Sequence, residues 1–164
     1  APFWNGWKAR SCPASKRWKT DPQSDYDCVM SAIIFHHAKQ AEDVLAFAAA
    51  SRRTITLLTA PGAVGYGGPG FYLAMVELAR KKHPNADVRA VLDCGDDGAM
   101  AQMALQLGWR GLVLHGKVTV REKVRQIAAA YGAEVLARPP RALDPGPEMT
   151  DLYGYLSSQC GIIY

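Results

Sequence analysis

Four short stretches concentrate the side chains that could do chemistry: His36-His37, Asp93-Cys94-Gly95-Asp96-Asp97, His115-Gly116-Lys117 and Arg138. A fifth, Gly65-Tyr66-Gly67-Gly68-Pro69-Gly70, is glycine at four of its six positions. Each follows a run of aliphatic and β-branched residues. If those runs are parallel strands, all five stretches fall on one edge of one sheet, the edge where ligands gather in parallel α/β folds. Strand ends also meet solvent, so polar residues belong there without a ligand.

The residue types suggest specific roles. Asp93, His36 and His115 are candidates for proton transfer. Cys94 would sit just before a helix N-terminus, which lowers a thiol pKa, with His36 or His115 as its base. Its alternative is a buried strand-end cysteine acting as a small apolar residue. His36, His115 and Asp93 are of metal-binding type, but no HxH or HxxxH spacing accompanies them, and no metal is expected. Lys117 would need desolvation to form a Schiff base; with Arg138 it is the expected counter-charge for an anion. The amides of Gly65, Gly67, Gly68 and Gly70, between a strand and a helix start, could receive that anion on the backbone.

Those glycines also match G-x-G-x-x-G, and Asp93 follows the last of them by 23 residues, as in a dinucleotide fingerprint. Two departures count against a dinucleotide. Pro61–Val64 separate the strand from the first glycine, and Pro69 lacks a backbone donor. No Gly-Lys-Ser/Thr of a P-loop follows. No cofactor is assigned, and the expected ligand is a small molecule bearing phosphate or carboxylate.

Positioning these groups requires regular elements. Val29–Phe35, Thr54–Thr59, Val88–Leu92, Gly111–Leu114 and Ala133–Ala137 read as buried strands, apolar without alternation. Helical spacing lies between them. Ala38–Ser51 is alanine-rich; Phe71–Lys82 has a broad apolar face and ends on Arg80, Lys81 and Lys82 before Pro84. A third helix is capped by Asp96 or Asp97, carries Met100, Met103, Ala104 and Leu107 as its stripe and stops at Gly108. A fourth opens on the capping box Thr119-Val-Arg-Glu122, with Val120, Val124, Ile127, Ala128 and Tyr131 inward and Gly132 as its end. The alternation predicts a five-stranded, mostly parallel sheet with helices on both faces, open and doubly wound. Half of a (β/α)8 barrel, completed by a second subunit, is the alternative. The segment LQLGWRGLVLHG resembles both barrel enzymes and receiver domains, a pattern too general to single out a family.

The 164 residues suit one domain. The division expected is an N-terminal arm at 1–27, a core at 28–138 and a Pro-rich, aromatic tail at 139–164. The arm holds Trp4, Trp7 and Trp18 with five basic groups (Lys8, Arg10, Lys16, Arg17, Lys19) and no acid before residue 21. Disordered tails are poor in aromatics, so the arm is expected to dock, on a second copy or a larger assembly before nucleic acid or an anionic membrane surface. Asp144, Glu148 and Asp151 in the tail are its candidate acidic counterparts. No run is long enough to span a membrane, and the first residues lack the apolar region of a secretory signal. The start at Ala1 suggests processing or trimming. Four cysteines without metal-like spacing point to a reducing cytoplasm, although Cys12, Cys28 and Cys160 could pair in an exported protein. Two functions stand: a small-molecule enzyme or binding protein using the strand ends, or a non-catalytic assembly subunit docking through its arms.

Overall fold

A computed structural model describes residues 32–159. The arm, its tryptophans and Cys12, Cys28 and Cys160 lie outside the described residues, as does the beginning of the first expected strand. The elements run β1 (Ala32–Phe35), α1 (Ala38–Ser51), β2 (Ile55–Thr59), α2 (Val64–Lys82), β3 (Val88–Asp93), α3 (Gly98–Leu107), β4 (Gly111–Val113), α4 (Val118–Ala130), β5 (Glu134–Leu136) and α5 (Leu152–Gln159). All four strand pairings are parallel, and the order in the sheet is β1-β2-β3-β4-β5.

That order decides between the two arrangements. A doubly wound sheet reverses direction at a switch point, putting helices on both faces. Here every crossover steps to the next strand, and right-handed crossovers of that kind stack their helices on one face. α1 packs on α2, α2 on α3 and α3 on α4, a single helical layer. The half-barrel alternative is therefore the observed architecture.

The two sheet faces bury separate clusters. Ile33, Phe35, Leu57, Leu92, Leu112 and Leu114 face the helices, in one core with Val44, Leu45, Val76, Leu105 and Trp109. Ile34, Leu58, Val91 and Val113 form a smaller cluster on the other face, packed with Ala60, Leu136 and Ala142. Register explains the second set: Ile34, Leu58 and Val91 pair across β1, β2 and β3, and Asp93, Val113 and Leu136 across β3, β4 and β5. Arg89 and Glu134 form an ion pair near the N-terminal end of that face.

The chain after β5 covers this second cluster. Residues 137–142 leave β5 and reach the free edge of β1, where Leu143 pairs in parallel with Ile33. The Leu143 amide donates to the Ala32 carbonyl (3.0 Å) and its carbonyl accepts from the Ile34 amide (2.8 Å). Seven residues extend at most ~25 Å, and five flat interstrand steps also span about 24 Å. A connection that packs on the face rather than pulling taut thus requires the sheet to curl. Beyond it, the tail expected to be irregular forms α5, which lies on α1 and buries Leu152 and Leu156.

Three local expectations change. The glycine stretch is not a loop: Val64–Gly67 is a helical turn, Gly68 breaks it at φ 71° and ψ 164°, and Pro69 opens the main segment of α2. The Trp109 indole N–H fixes that break by donating to the Pro69 carbonyl, 2.9 Å away. The capping box at Thr119 is absent, because α4 starts at Val118 with Lys117 as its cap residue. Gly116, at φ 77°, ends the preceding loop early enough to put Thr119 inside the first turn, and Glu122 pairs instead with Arg125 (2.8 Å). α3 is rotated from the expected stripe: Ala101, Ala104 and Leu105 are buried, while Met103 is exposed. With no charged residue in α3, several rotations are equally apolar and spacing cannot select one. No helix among the described residues is long and apolar enough to cross a membrane.

Candidate functional site

The strand ends place Asp93 at the centre of the sheet edge. β3 is paired on both sides, and Asp93 lies in register with Val113, on the face away from the helices. Its side chain is only 2% exposed. Buried carboxylates need hydrogen bonds, and Oδ1 accepts two, from the Gly95 amide (2.8 Å) and the Gly62 amide (3.1 Å). The Asp93 amide donates to Thr59 Oγ1 at 2.9 Å, and Thr59 is itself fully buried. Oδ2 is left toward His115, whose Nε2 stands 3.8 Å away on a side chain 43% exposed. The His115 amide donates to the Gly95 carbonyl at 2.6 Å, tying the loops after β3 and β4 together. The structure thus joins two of the expected proton-transfer residues.

Cys94 goes the other way. Strand alternation turns it toward the helices, where it is 1% exposed within the main core. Burial, and then the charges of Asp93 and Asp97, push its thiol up to about 12. A reactive cysteine needs the opposite shift, so the small apolar reading describes it. The expected cap is Asp97, whose Oδ1 accepts from the Ala99 and Met100 amides, both at 2.9 Å. It holds α3 in place rather than Cys94 ionised.

His36 is separated from this group. Its Nε2 meets Asp144 Oδ1 at 2.7 Å, and the Gly146 amide donates to the same oxygen at 3.0 Å. The His36 hydrogen bond first, and the Gly146 amide second, hold the Asp144 carboxyl below its ordinary range. Behind the pair, fully buried Gln40 accepts from the His36 amide and donates to the Gly146 and Met149 carbonyls (2.9, 2.7 and 3.1 Å). His37 caps α1 by accepting from the Gln40 amide. The His36 end of the sheet is a structural clasp. Among the described residues no group of three or more His, Cys, Asp or Glu side chains could hold a metal ion.

The glycines serve the site differently from expectation. Gly65 and Gly67 donate their amides to the Gly62 and Ala63 carbonyls, closing the turn. They offer no cradle, and the G-x-G-x-x-G spacing here belongs to a helix start. Gly62, which spacing did not single out, contributes the amide that holds Asp93. Gly68 supplies the break before Pro69, and Gly70 lies in the first turn of the main segment of α2. Lys117 and Arg138 are exposed at the ends of the adjacent strands β4 and β5. Thr59 and Gly62, which hold Asp93, were not legible as site residues.

A scan against protein-family models finds no match, and neither does a search of curated proteins. Among solved structures, one assigned to a fructose-1,6-biphosphate aldolase from Coccidioides immitis is similar, with a TM-score of 0.50 and 15% sequence identity. The match covers 63% of this chain and 39% of that one, so this chain spans about two fifths of the length of that protein. At that identity the likeness is one of fold, and it agrees with the half-barrel arrangement.

Proposed function

We propose that the chain is a small-molecule enzyme that holds a phosphate- or carboxylate-bearing ligand at the C-terminal ends of β3, β4 and β5. Asp93 and His115 move a proton on it. The observation that carries this reading is the Asp93 carboxylate: one oxygen is spent on the Gly62 and Gly95 amides, and the other faces a half-exposed imidazole 3.8 Å away. The half-exposed imidazole is the group that a ligand at this edge would touch, and the fixed carboxylate behind it can orient the ring and stabilise its protonated form when it takes a proton from that ligand. Lys117 and Arg138 supply the counter-charge at the same edge. The solved structure with the similar fold is named for a bisphosphorylated sugar, a ligand of the charge this edge would suit.

The alternative, an assembly subunit docking through both arms, loses its C-terminal half to the chain itself. Residues 143–149 engage β1 and the start of α1, and α5 covers α1.

A thermal-shift screen of phosphorylated and carboxylated metabolites tests the reading. A ligand is expected whose stabilisation drops in Lys117→Ala or Arg138→Ala. Asp93→Asn, which keeps an oxygen for the two amides, should bind that ligand yet abolish its turnover. If no such metabolite stabilises the unmodified chain, the proposal fails.

A further inference from the structure

The connection from β5 to β1 does more than cover the sheet. Residues 137–142 read Ala-Arg-Pro-Pro-Arg-Ala. Proline fixes its own φ and keeps the residue before it extended, and every peptide bond among the described residues is trans. Arg138-Pro139-Pro140-Arg141 is thus a stiff strut of polyproline type. Such a strut has three residues per turn and rises ~3.1 Å per residue, so positions 138 and 141 fall on one side of it, about 9 Å apart. Exposure agrees: both arginines are exposed, Pro140 is half-buried, and Ala142 packs on the cluster of Ile34, Leu58, Val91 and Val113. The strut starts at the His115 end of the site. The Leu114 amide donates to the Leu136 carbonyl at 2.9 Å, so His115 and Arg138 lie one and two residues beyond a shared hydrogen bond, and Lys117 follows. From there the strut crosses the face on which Asp93 lies, which sets Arg141 further toward β1. Among the described residues, none of Lys117, Arg138 and Arg141 joins an ion pair. Nearby acids are engaged: Asp97 caps α3, and Asp144 is held by His36 and the Gly146 amide. Residues 135–143 contain no acid, and Asp96, against Gly116, is left to offset three cations.

We infer that the ligand carries two anionic groups, one held by Lys117 and Arg138 beside His115, the other by Arg141 at the far end of the strut. This rests on the function proposed above and narrows its substrate class to a chain with a phosphate or carboxylate at each end. Each guanidinium can meet two oxygens of one such group. Because the prolines fix their spacing beforehand, the arginines take up a paired anion without first losing the freedom of a loose loop. A ligand with a single anion at Lys117 and Arg138 leaves Arg141 without a partner. Once the first anion is bound, the second contact is intramolecular, so its strength depends on the length of the chain between the two.

Calorimetric titration of the full chain with the monophosphates and bisphosphates of linear diols, from two to eight carbons, tests this. The bisphosphates are expected to bind at least ~10-fold tighter than the monophosphates of the same diols, with an optimum at intermediate length. Arg141→Gln should erase that advantage, and Lys117→Ala should weaken both series. Pro139→Gly, which loosens the strut at an exposed position and keeps both charges, should flatten the dependence on length. Monophosphates and bisphosphates that bind alike overturn the inference and leave the proposed function standing. So does an Arg141→Gln that weakens both series in proportion, as a loss of general charge would. If neither series binds, the inference also falls, and the metabolite screen shows whether the proposed function falls with it.

Discussion

Asp93 and Cys94 are neighbours in sequence and opposites in environment, because one step along a strand moves a side chain to the other face. Asp93 is buried at the sheet edge with one oxygen toward the half-exposed His115; Cys94 is buried under the helices. With its thiol pushed up to about 12, Cys94 should resist iodoacetamide at pH 8 until the protein unfolds, as peptide mapping can follow. Labelling of the native chain at an ordinary thiol rate would mean that the β3 end opens. Asp144 carries the pH prediction. His36 and the Gly146 amide depress its folded-state pKa, so its contribution to stability is present above the unfolded carboxylate pKa of ~3.9. That contribution is lost as pH falls through the lower, folded value. Acid titration of the melting temperature should therefore lose part of its steepness in Asp144→Asn. An unchanged titration would show that the pair adds nothing, as exposed pairs often do.

Among the elements, α2 has the least ordinary start. Gly68 occupies φ 71° and ψ 164°, a region nearly confined to glycine. An added Cβ would meet no atom within 4 Å, so any cost is backbone strain and not collision. Gly68→Ala should cost about 1–3 kcal/mol, measured by denaturant unfolding, whereas at neighbouring Gly65, helical and also open, the same change should be neutral or stabilising. Equal effects would place the break elsewhere. This stretch shows what spacing can and cannot reveal. α1 was legible to the residue, since its alanine run has no competing pattern; Gly108 ends α3 as read, and of the two candidate caps Asp97 is the one used. The glycine run was misread because glycine permits a loop and a broken helix alike, and Trp109, 40 residues away, decides between them. Strand order was open for a similar reason: alternating strands and helices fit either winding, and only long-range pairing separates them. Of the candidate site, Asp93 and His115 were legible as strand-end residues. Thr59 and Gly62 were not, because their roles exist only once β2 and β3 are side by side.

At the scale of the molecule, the curled sheet and residues 137–149 form one unit. A chain ending at Arg138 would uncover Ile34, Leu58, Val91 and Val113 and the edge of β1, and would also lose Leu152 and Leu156 from the main core. It is expected to aggregate on refolding, seen as light scattering; a soluble monomer with native circular dichroism would show that the tie is dispensable. The tie also has a consequence in time. Ile33 and Leu143 are 110 residues apart, so among the described residues the partner of the outer edge of β1, Ala-Ile-Ile-Phe, is made long after the strand itself. A ribosome adding about 5–20 residues per second takes several seconds to supply its cover. Until then this apolar edge lacks the partner that the folded chain gives it, and unpaired edges of that kind are the ones that seed misassembly.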